Sequence, residues 1–314
     1  MELLKSMLDI YIPKNHPLMV INREIDFGFV HGICKQHYAS SGEGRPPIDP
    51  EVLFRICFVS FFENMSFREV VCRLEHDLLL REFCNWWKPG HPNHSTLSVF
   101  LDRVGPGTIS DAFNHVVEQA REKGIITDRL SAIDSTIVES HANHYRLWVE
   151  GGSPDPDAKW TKKRGESYYG FKAHTACDVD SRMSTTLKST PANQSDMTFL
   201  APVVDPNADA STADKGYSSE KNRKLLTETF KQEDVIIPKN NENIHIDREK
   251  AKGRTQVERN YSIVKRCHRL NVTISWGLDR FKIQAGFAFM AWNAKCWVQW
   301  LFKQPCYKLK AKCA

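Results

Sequence analysis

Three acidic residues stand where a carboxylate is costly or unusual unless it binds something. Asp134 lies inside the apolar segment 131–138, and burying a charge there is expensive without a partner. Asp214 directly follows the short apolar segment 210–213, and ligands of such sheets gather at strand ends. Glu258 is the single carboxylate on the cationic face of a predicted helix.

Carboxylates that converge from two strand ends and a helix form a site for hard divalent cations, preferably Mg²⁺ or Mn²⁺. Two such ions about 4 Å apart activate a water or a 3′-hydroxyl and stabilise the leaving oxygen of a phosphodiester. Phosphoryl transfer requires little beyond positioning and charge neutralisation. Asp134, Asp214 and Glu258 are therefore candidate catalytic metal ligands.

Each of these residues also has a purely structural interpretation. Asp134 would be an edge or turn residue if the strand around it is misassigned. Asp214 would be a turn former in its Asp-Lys-Gly context. Glu258 would form an ordinary helical ion pair with Arg254, four residues earlier. The occurrence of all three, in this order of elements, favours a shared site.

The elements that must position these residues change character near Gly124. Before it the pattern is helical, with a capping box at Ser66 and Glu69. Helices are predicted over 50–62, 66–74, 78–86, 94–104 and 108–123. After it we predict a polar loop over 143–168, strands over 126–138, 170–178, 182–190, 210–213 and 235–237, and helices over 195–204, 218–230, 254–270 and 281–302. This order indicates a mixed α/β sheet with an antiparallel start and parallel additions.

Charge is divided unevenly along the 314 residues, which carry 43 Lys and Arg against 38 Asp and Glu. Residues 248–314 contain 15 basic and 3 acidic side chains, whereas the rest of the chain has a net charge of −7. This asymmetry indicates that the C-terminal part meets a polyanion, and nucleic acid is the first candidate.

Composition excludes several classes. The 41% of hydrophobic residues excludes wholesale disorder. We expect no secretory leader, and polar residues interrupt 281–302, which favours a buried helix over a membrane span. Nine cysteines without a Cys-x-x-Cys pair are typical of a reducing compartment. These features together predict a soluble intracellular protein.

The front region does not share the basic character. Residues 1–128 carry 13 basic and 17 acidic side chains, whereas helix-turn-helix readers of DNA are usually basic. Either one helix concentrates the positive charge or the region mainly dimerises. The helix that begins at His94 is the best candidate for entering a DNA groove.

Three further groups have both a functional and a structural interpretation. His141, His144 and Glu139 have a zinc-like spacing but no second ligand pair, which favours an incidental arrangement. The basic run 162–164 either grips DNA backbone or is simply solvated. The neighbouring aromatic residues either stack on bases or pack beneath the loop; they are Trp160, Tyr168 and Tyr169.

Motifs in this order resemble the bacterial insertion-sequence transposases of the DDE type, in the insertion-sequence-five group. The resemblance covers about residues 44–302. Its motifs are Gly44-Arg-Pro-Pro-Ile-Asp-Pro50, His94-Ser-Thr96, Ala132-Ile-Asp134-Ser-Thr136, Tyr169-Gly-Phe-Lys172-Ala-His174, Asp178-Val-Asp180, Thr190-Pro-Ala-Asn193 with Asp196, Ala213-Asp214-Lys-Gly-Tyr217, and an R-x3-E-x6-K pattern from Arg254 to Lys265.

The resemblance implies an α/β fold, namely a ribonuclease-H-like mixed sheet flanked by helices and preceded by an all-helical N-terminal domain. It implies a helical DNA-binding or dimerisation domain over 1–125, a catalytic domain over 126–302 and a basic tail over 303–314. Asp134, Asp214 and Glu258 take the roles of metal ligands for two Mg²⁺ ions, which Mn²⁺ can replace. The expected DNA contacts are Arg254, Lys265, Arg269, Lys172 and His174.

The activity implied is cleavage of the ends of an insertion sequence and their joining to target DNA. The expected partners are double-stranded DNA, as terminal inverted repeats and target, and further copies of this chain in a homodimer or larger assembly, with no membrane. The expected location is the cytoplasm, at the nucleoid. Two other hypotheses remain: a metal-dependent nuclease without strand transfer, and a catalytically silent DNA-binding relative.

Overall fold

The front of the molecule is helical, as the sequence predicts. The structure, a computed structural model, describes residues 11–38, 47–142, 155–163 and 165–302. Its first helices are α1 (Pro17–Glu24), α2 (Phe29–Cys34), α3 (Pro50–Phe62), α4 (Phe67–Leu74), α5 (Leu78–Cys84) and α6 (His94–Glu122). The predicted helices from 50 to 123 are thereby confirmed, apart from small differences at their ends.

Local signals explain where these helices begin. Asp49 caps α3 by accepting a hydrogen bond from the Glu51 amide at 2.8 Å. The predicted capping box of α4 is present, with Ser66 and Glu69 satisfying each other's backbone amides. Helix α6 is interrupted at Gly105, whose φ of 71° is accessible because glycine lacks a Cβ. The helices predicted over 94–104 and 108–123 are therefore the two arms of α6.

Six strands form one mixed sheet. They are β1 (Ser131–Glu139), β2 (Lys159–Lys163), β3 (Glu166–Asp178), β4 (Ser184–Pro191), β5 (Ala210–Ala213) and β6 (Glu233–Asp234). The order is β2-β3-β1-β5-β6, with β4 also paired to β3. The pairs of β3 with β1, β2 and β4 are antiparallel, and β1 with β5 and β5 with β6 are parallel. The predicted antiparallel start and parallel additions are confirmed.

Three sequence predictions about this region are wrong. The strand predicted over 235–237 is instead β6 at Glu233–Asp234. Part of the loop predicted over 143–168 is the edge strand β2 and the start of β3, and Trp160 packs on Tyr169 across that pair, with ring centroids 5.2 Å apart. The helix predicted over 195–204 is only a 3₁₀ turn at Asp196–Thr198. The Asp196 side chain accepts hydrogen bonds from other elements and so holds the chain in a turn.

The remaining helices follow the parallel part of the sheet. They are α7 (Glu220–Lys224), which a π turn extends over Leu225–Thr229, α8 (Arg248–Ala251), α9 (Thr255–Cys267) and α10 (Leu278–Phe302). Within the described ranges, none of the helices combines the length and apolarity needed to cross a bilayer. Helix α10 lies buried along most of its length, as predicted for 281–302.

Helix α10 joins the front helices to the sheet. Phe287 stacks on Phe61 of α3 at 5.5 Å, and Phe281 stacks on Phe171 of β3 at 5.0 Å. One apolar core therefore runs from the front helices to one face of the sheet. A smaller core covers the other face, beneath β5 and α7. The predicted domain boundary at residue 125 stays a prediction, and 303–314 lie outside the described residues.

Gly170 marks a close approach between β1 and β3. A Cβ at this position would lie 2.2 Å from the Val138 carbonyl oxygen and 2.8 Å from the Ser140 nitrogen. Both contacts are backbone atoms, so the strands themselves would have to separate. We predict that Gly170→Ala lowers the free energy of unfolding by about 2–3 kcal/mol in urea denaturation.

Gly107 in α6 provides the matched control, because a Cβ there meets nothing within 4 Å. Gly107→Ala should be neutral or stabilise by up to about 1 kcal/mol, as alanine favours helix. An equal loss of stability in both variants would contradict the close approach of β1 and β3.

Candidate active site

Neighbouring parallel strands bring two of the candidate carboxylates together. In the pairing of β1 with β5, Ile133 is level with Ala213. Asp134 follows Ile133 in β1, and Asp214 follows Ala213 at the end of β5. The two residues therefore lie side by side, directly after the last paired position of the two strands. Each carboxylate accepts a hydrogen bond of 2.8 Å from the amide of the residue that follows it. The strand edge therefore carries two adjacent carboxylates.

The Asp134 carboxylate is costly to ionise in this position. Its pKa is raised to about 6, mainly by burial; the Ser135 amide and Lys163 act in the opposite direction, and the carboxylates of Asp196 and Asp214 add smaller contributions to the rise. Deprotonated Asp134 is thus destabilised near neutral pH. A divalent cation between Asp134 and Asp214 would remove that cost, which is what a metal-binding carboxylate pair requires.

Helix α9 is fastened to β1 at the level of Asp134. The Tyr261 hydroxyl donates to the Asp134 carbonyl at 2.6 Å and lies 2.8 Å from the Thr175 hydroxyl on β3. One turn further, the Lys265 ammonium donates to the Ile137 carbonyl. Glu258 precedes Tyr261 by three residues and so lies on the same side of the helix. The third candidate carboxylate is thereby brought to the same side of the sheet.

Glu258 forms an ion pair with Arg254. Its carboxylate contacts the Arg254 guanidinium at 2.6 Å and is 52% exposed. Across the described parts of the chain, no group of three or more His, Cys, Asp or Glu side chains is close enough to hold a metal ion. The helical ion pair considered from the sequence is therefore present.

Two of the residues expected to contact DNA belong to the opposite face of the sheet. Lys172 is 8% exposed, and its ammonium donates to the Gln194 carbonyl at 2.7 Å and to Asp196 at 3.0 Å. His174 is fully buried and shares a hydrogen bond of 2.8 Å with Thr190. Burial lowers the pKa of His174 to about 4, so the ring is neutral at pH 7.

Arg269 also faces the protein. Its guanidinium donates to the Ser60 hydroxyl at 2.6 Å and lies 5.3 Å from the centroid of the Phe61 ring. Burial lowers the pKa of this arginine. The polar groups of Lys172, His174 and Arg269 thus already bind the interior, and their assignment to DNA contacts stays a prediction. Arg254 pairs with Glu258, and the half-buried Lys265 ammonium, whose pKa burial lowers, donates to the Ile137 carbonyl.

Three residues that were not assigned to the metal site from the sequence contact it or lie near it. Lys163, exposed at the end of β2, is close enough to interact electrostatically with both Asp134 and Lys265. Tyr261 lies on the same helix face as Glu258, and its hydroxyl is the contact that fastens α9 to β1. Asp196 appeared only within a family motif. The i,i+3 spacing of Glu258 and Tyr261 is the signal that could have identified the helix anchor.

The remaining sequence candidates have structural partners or fall outside the description. His141 shares a hydrogen bond of 3.1 Å with Thr273, and its ring stacks on Trp276 at 5.9 Å. His144 and Arg164 lie outside the described residues, as do 44–46 of the first motif. Nothing described supports a zinc site at His141.

Two family models match this chain. A family model described as "Transposase domain (DUF772)" matches residues 6–103. A second, described as "Transposase DDE domain", matches residues 126–294, which is more than half of the chain. The chain belongs to the DDE transposase family. The sheet order and the matched segment identify the fold of this transposase as ribonuclease-H-like.

A curated relative has the same kind of name. The transposase for insertion sequence element IS1106 of Neisseria meningitidis serogroup B is 28% identical over 207 residues, which are 59% of this chain and 72% of the relative. The predicted resemblance to bacterial insertion-sequence DDE transposases is confirmed. Membership of the insertion-sequence-five group stays a prediction.

One solved structure aligns with much of the transposase. The cryo-EM structure of a piggyBac transposase synaptic complex with hairpin DNA covers 90% of this chain and 73% of its own, with a TM-score of 0.40 and 12% sequence identity. A similarity of that size supports no further conclusion about this protein.

The raised pKa of Asp134 leads to a pH-dependent stability. Its folded-state pKa of about 6 exceeds the ordinary value of 3.8, so the ionised form destabilises the fold above pH 6 and this cost disappears below pH 4. Asp134→Asn should therefore stabilise the metal-free protein at pH 7.5 by about 1–2 kcal/mol, allowing for partial exposure. Thermal unfolding with a chelator present measures this difference.

The same variant at pH 4 is the control, because protonated aspartate and asparagine are then both neutral. Stabilisation that is equal at both pH values would point to a cause other than the charge of Asp134. Destabilisation at pH 7.5 would contradict the raised pKa.

Proposed function

We propose that this transposase cleaves the ends of an insertion sequence and joins them to target DNA by metal-dependent phosphoryl transfer. The observation that carries the proposal is the side-by-side exit of Asp134 and Asp214 from parallel strands, in a chain matched by the DDE domain. Helix α9, held to β1 by Tyr261, brings Glu258 to the same side.

The residues present suit a divalent cation. Asp134 and Asp214 would hold the metal as adjacent oxygen ligands, and Glu258 would complete the set after leaving Arg254. Oxygen-only ligands favour Mg²⁺, with Mn²⁺ as a substitute. When bound, two such ions would activate the attacking oxygen and stabilise the leaving oxygen of a phosphodiester.

The cationic side chains around the carboxylates suit the substrate backbone. Arg254, directly before α9, and Lys265 on α9 lie on either side of Glu258 in the sequence, and Lys163 on β2 is close enough to interact electrostatically with Lys265. Positive charge beside the carboxylates would hold DNA phosphates against the site. Release of Arg254 from Glu258 would supply a cation for the phosphate while the carboxylate turns to the metal.

The expected substrates are the terminal inverted repeats of the element and a double-stranded target. A complete reaction requires two element ends, so we expect a homodimer or larger assembly on DNA. Action on chromosomal DNA implies a cytoplasmic protein at the nucleoid. The front helices would supply DNA binding or dimerisation.

Removal of each carboxylate tests the site. Asp134→Ala, Asp214→Ala and Glu258→Ala should each abolish Mg²⁺-dependent nicking and joining of element ends while DNA affinity is retained. Gel assays on labelled ends with a target plasmid, and mobility shifts on the same DNA, measure both properties. Asp180→Asn, at an exposed turn, is the control and should remain active.

Sequencing of the products separates the alternatives. Joined ends identify a transposase, whereas hydrolysed ends without joining identify a nuclease. DNA binding without cleavage or joining in the unaltered protein indicates a silent relative. Near-normal strand transfer by any of the three alanine variants would remove that residue from the site.

The DNA contacts can be tested with two matched cationic residues. Lys163→Ala should weaken DNA binding and reduce the slope of log affinity against log salt by about 1. Arg269→Ala should leave that slope unchanged and instead lower unfolding stability by about 1–3 kcal/mol, because its guanidinium binds Ser60 and Phe61. The reverse pattern would contradict the placement of both residues.

A further inference from the structure

A polar network lies beneath Asp134, on the side of the sheet away from α9. Successive residues of a strand point to opposite faces, and the β1–β3 register pairs Asp134 with Thr175 and Ser135 with His174. Thr175 contacts Tyr261 of α9. Ser135 and His174 therefore lie on the opposite face of the sheet from Asp134 and α9.

Asp196 is the centre of this network. Its Oδ1 accepts hydrogen bonds from the Ser135 hydroxyl at 2.8 Å and from the Lys172 ammonium at 3.0 Å. The buried Nδ1 of His174 lies 3.8 Å from the same oxygen. Lys172 also donates to the Gln194 carbonyl at 2.7 Å, which fixes the segment leading into the turn. The Asp196–Thr198 turn is thus fastened to β1 at the residue next to Asp134.

The same turn is fastened to the segment that follows Asp214. Asn222, which is 5% exposed, donates from Nδ2 to the Met197 carbonyl at 2.9 Å and to the Tyr217 carbonyl at 2.7 Å. The turns Asp196–Thr198 and Lys215–Tyr217 pack directly on each other. The Asp196–Thr198 turn therefore contacts both β1, which carries Asp134, and the turn that follows Asp214.

We propose that Asp196 is a positioning residue that sets the separation of Asp134 and Asp214, acting through Ser135 on one side and the Asn222-linked turn on the other. The inference rests on the proposed function, since it concerns the same carboxylate pair. Lys172 is the counter-ion of Asp196, and His174 packs beside it. Small divalent cations demand near-ideal ligand geometry, so the separation of the two carboxylates governs metal affinity.

The test is Mn²⁺ binding to the metal-free, full-length protein, measured by titration calorimetry without DNA. Ser135→Ala removes only the hydroxyl link and keeps the Asp196–Lys172 ion pair. Asp196→Asn removes the carboxylate but keeps an oxygen acceptor. Each variant should weaken Mn²⁺ binding about tenfold or more, as loss of residues that orient metal ligands does elsewhere.

Two control variants are needed, one that removes a similar carboxylate elsewhere and one that only lowers stability. Asp180 likewise accepts from a hydroxyl, Thr127 at 2.8 Å, and from a cation, Arg129 at 2.7 Å, at an exposed turn. Asp180→Asn should bind Mn²⁺ as the unaltered protein does. Ser66→Ala loses the cap of α4 and hence stability, but its Mn²⁺ affinity should also be unchanged.

The outcomes are distinct. Failure of the unaltered protein to bind Mn²⁺ would overturn the proposed metal site itself. Normal binding by the unaltered protein and by both network variants would overturn the role of Asp196 alone. Weak binding by Asp196→Asn with normal binding by Ser135→Ala would also overturn it, because charge rather than position would then explain the effect. If Asp196→Asn does not unfold cooperatively, it is not folded well enough for comparison, and the Mn²⁺ affinity of Ser135→Ala alone tests the role of Asp196.

Discussion

The carboxylate of Asp134, placed in the strand at the centre of the sheet, is the constraint on which the rest of the structure depends. A charge in that position is costly unless other groups stabilise it. The antiparallel neighbour β3, the parallel neighbour β5 and helix α9 all make contacts within one residue of it. Burial raises its pKa to about 6. Ionised Asp134 therefore destabilises the fold at neutral pH, and a bound cation would offset that cost.

The mixed sheet is what makes this arrangement possible. On the antiparallel side, β3 pairs with both β1 and β4. One apolar core joins this side to α10 and the front helices. The parallel side, β1 with β5, places the second carboxylate at the same edge of the sheet. The first side joins the sheet to the main core, the second carries the candidate carboxylate pair, and Asp134 lies where the two meet.

Much of this was predictable because it depends on local sequence. Apolar β-branched residues around Asp134 and Ala210–Ala213 predict strands, and the capping box at Ser66 predicts a helix start. Asp134, Asp214 and Glu258 were selected from their placement in these elements, and their role as metal ligands stays a prediction. The predicted mixed order of strands follows from the same patterns, and it is confirmed.

What the sequence did not predict depends on tertiary contacts. Lys172, His174 and Arg269 are residue types that often contact DNA, but their environment is set by partners far along the chain, such as Asp196 and Ser60. The turn at Asp196 was predicted as a helix because local propensity favoured one. Its side-chain bonds to Ser135 and Lys172 outweigh that propensity.

The central claim is that Asp134, Asp214 and Glu258 together hold the catalytic metal, and it has one direct test. A structure of the transposase with an element end and Mn²⁺, with the metal located by anomalous scattering, would measure the ligand distances. The account predicts Mn²⁺ within about 2.3 Å of an oxygen from each of the three carboxylates, with Glu258 turned away from Arg254. Mn²⁺ bound elsewhere, or bound with Glu258 still paired to Arg254, would contradict it.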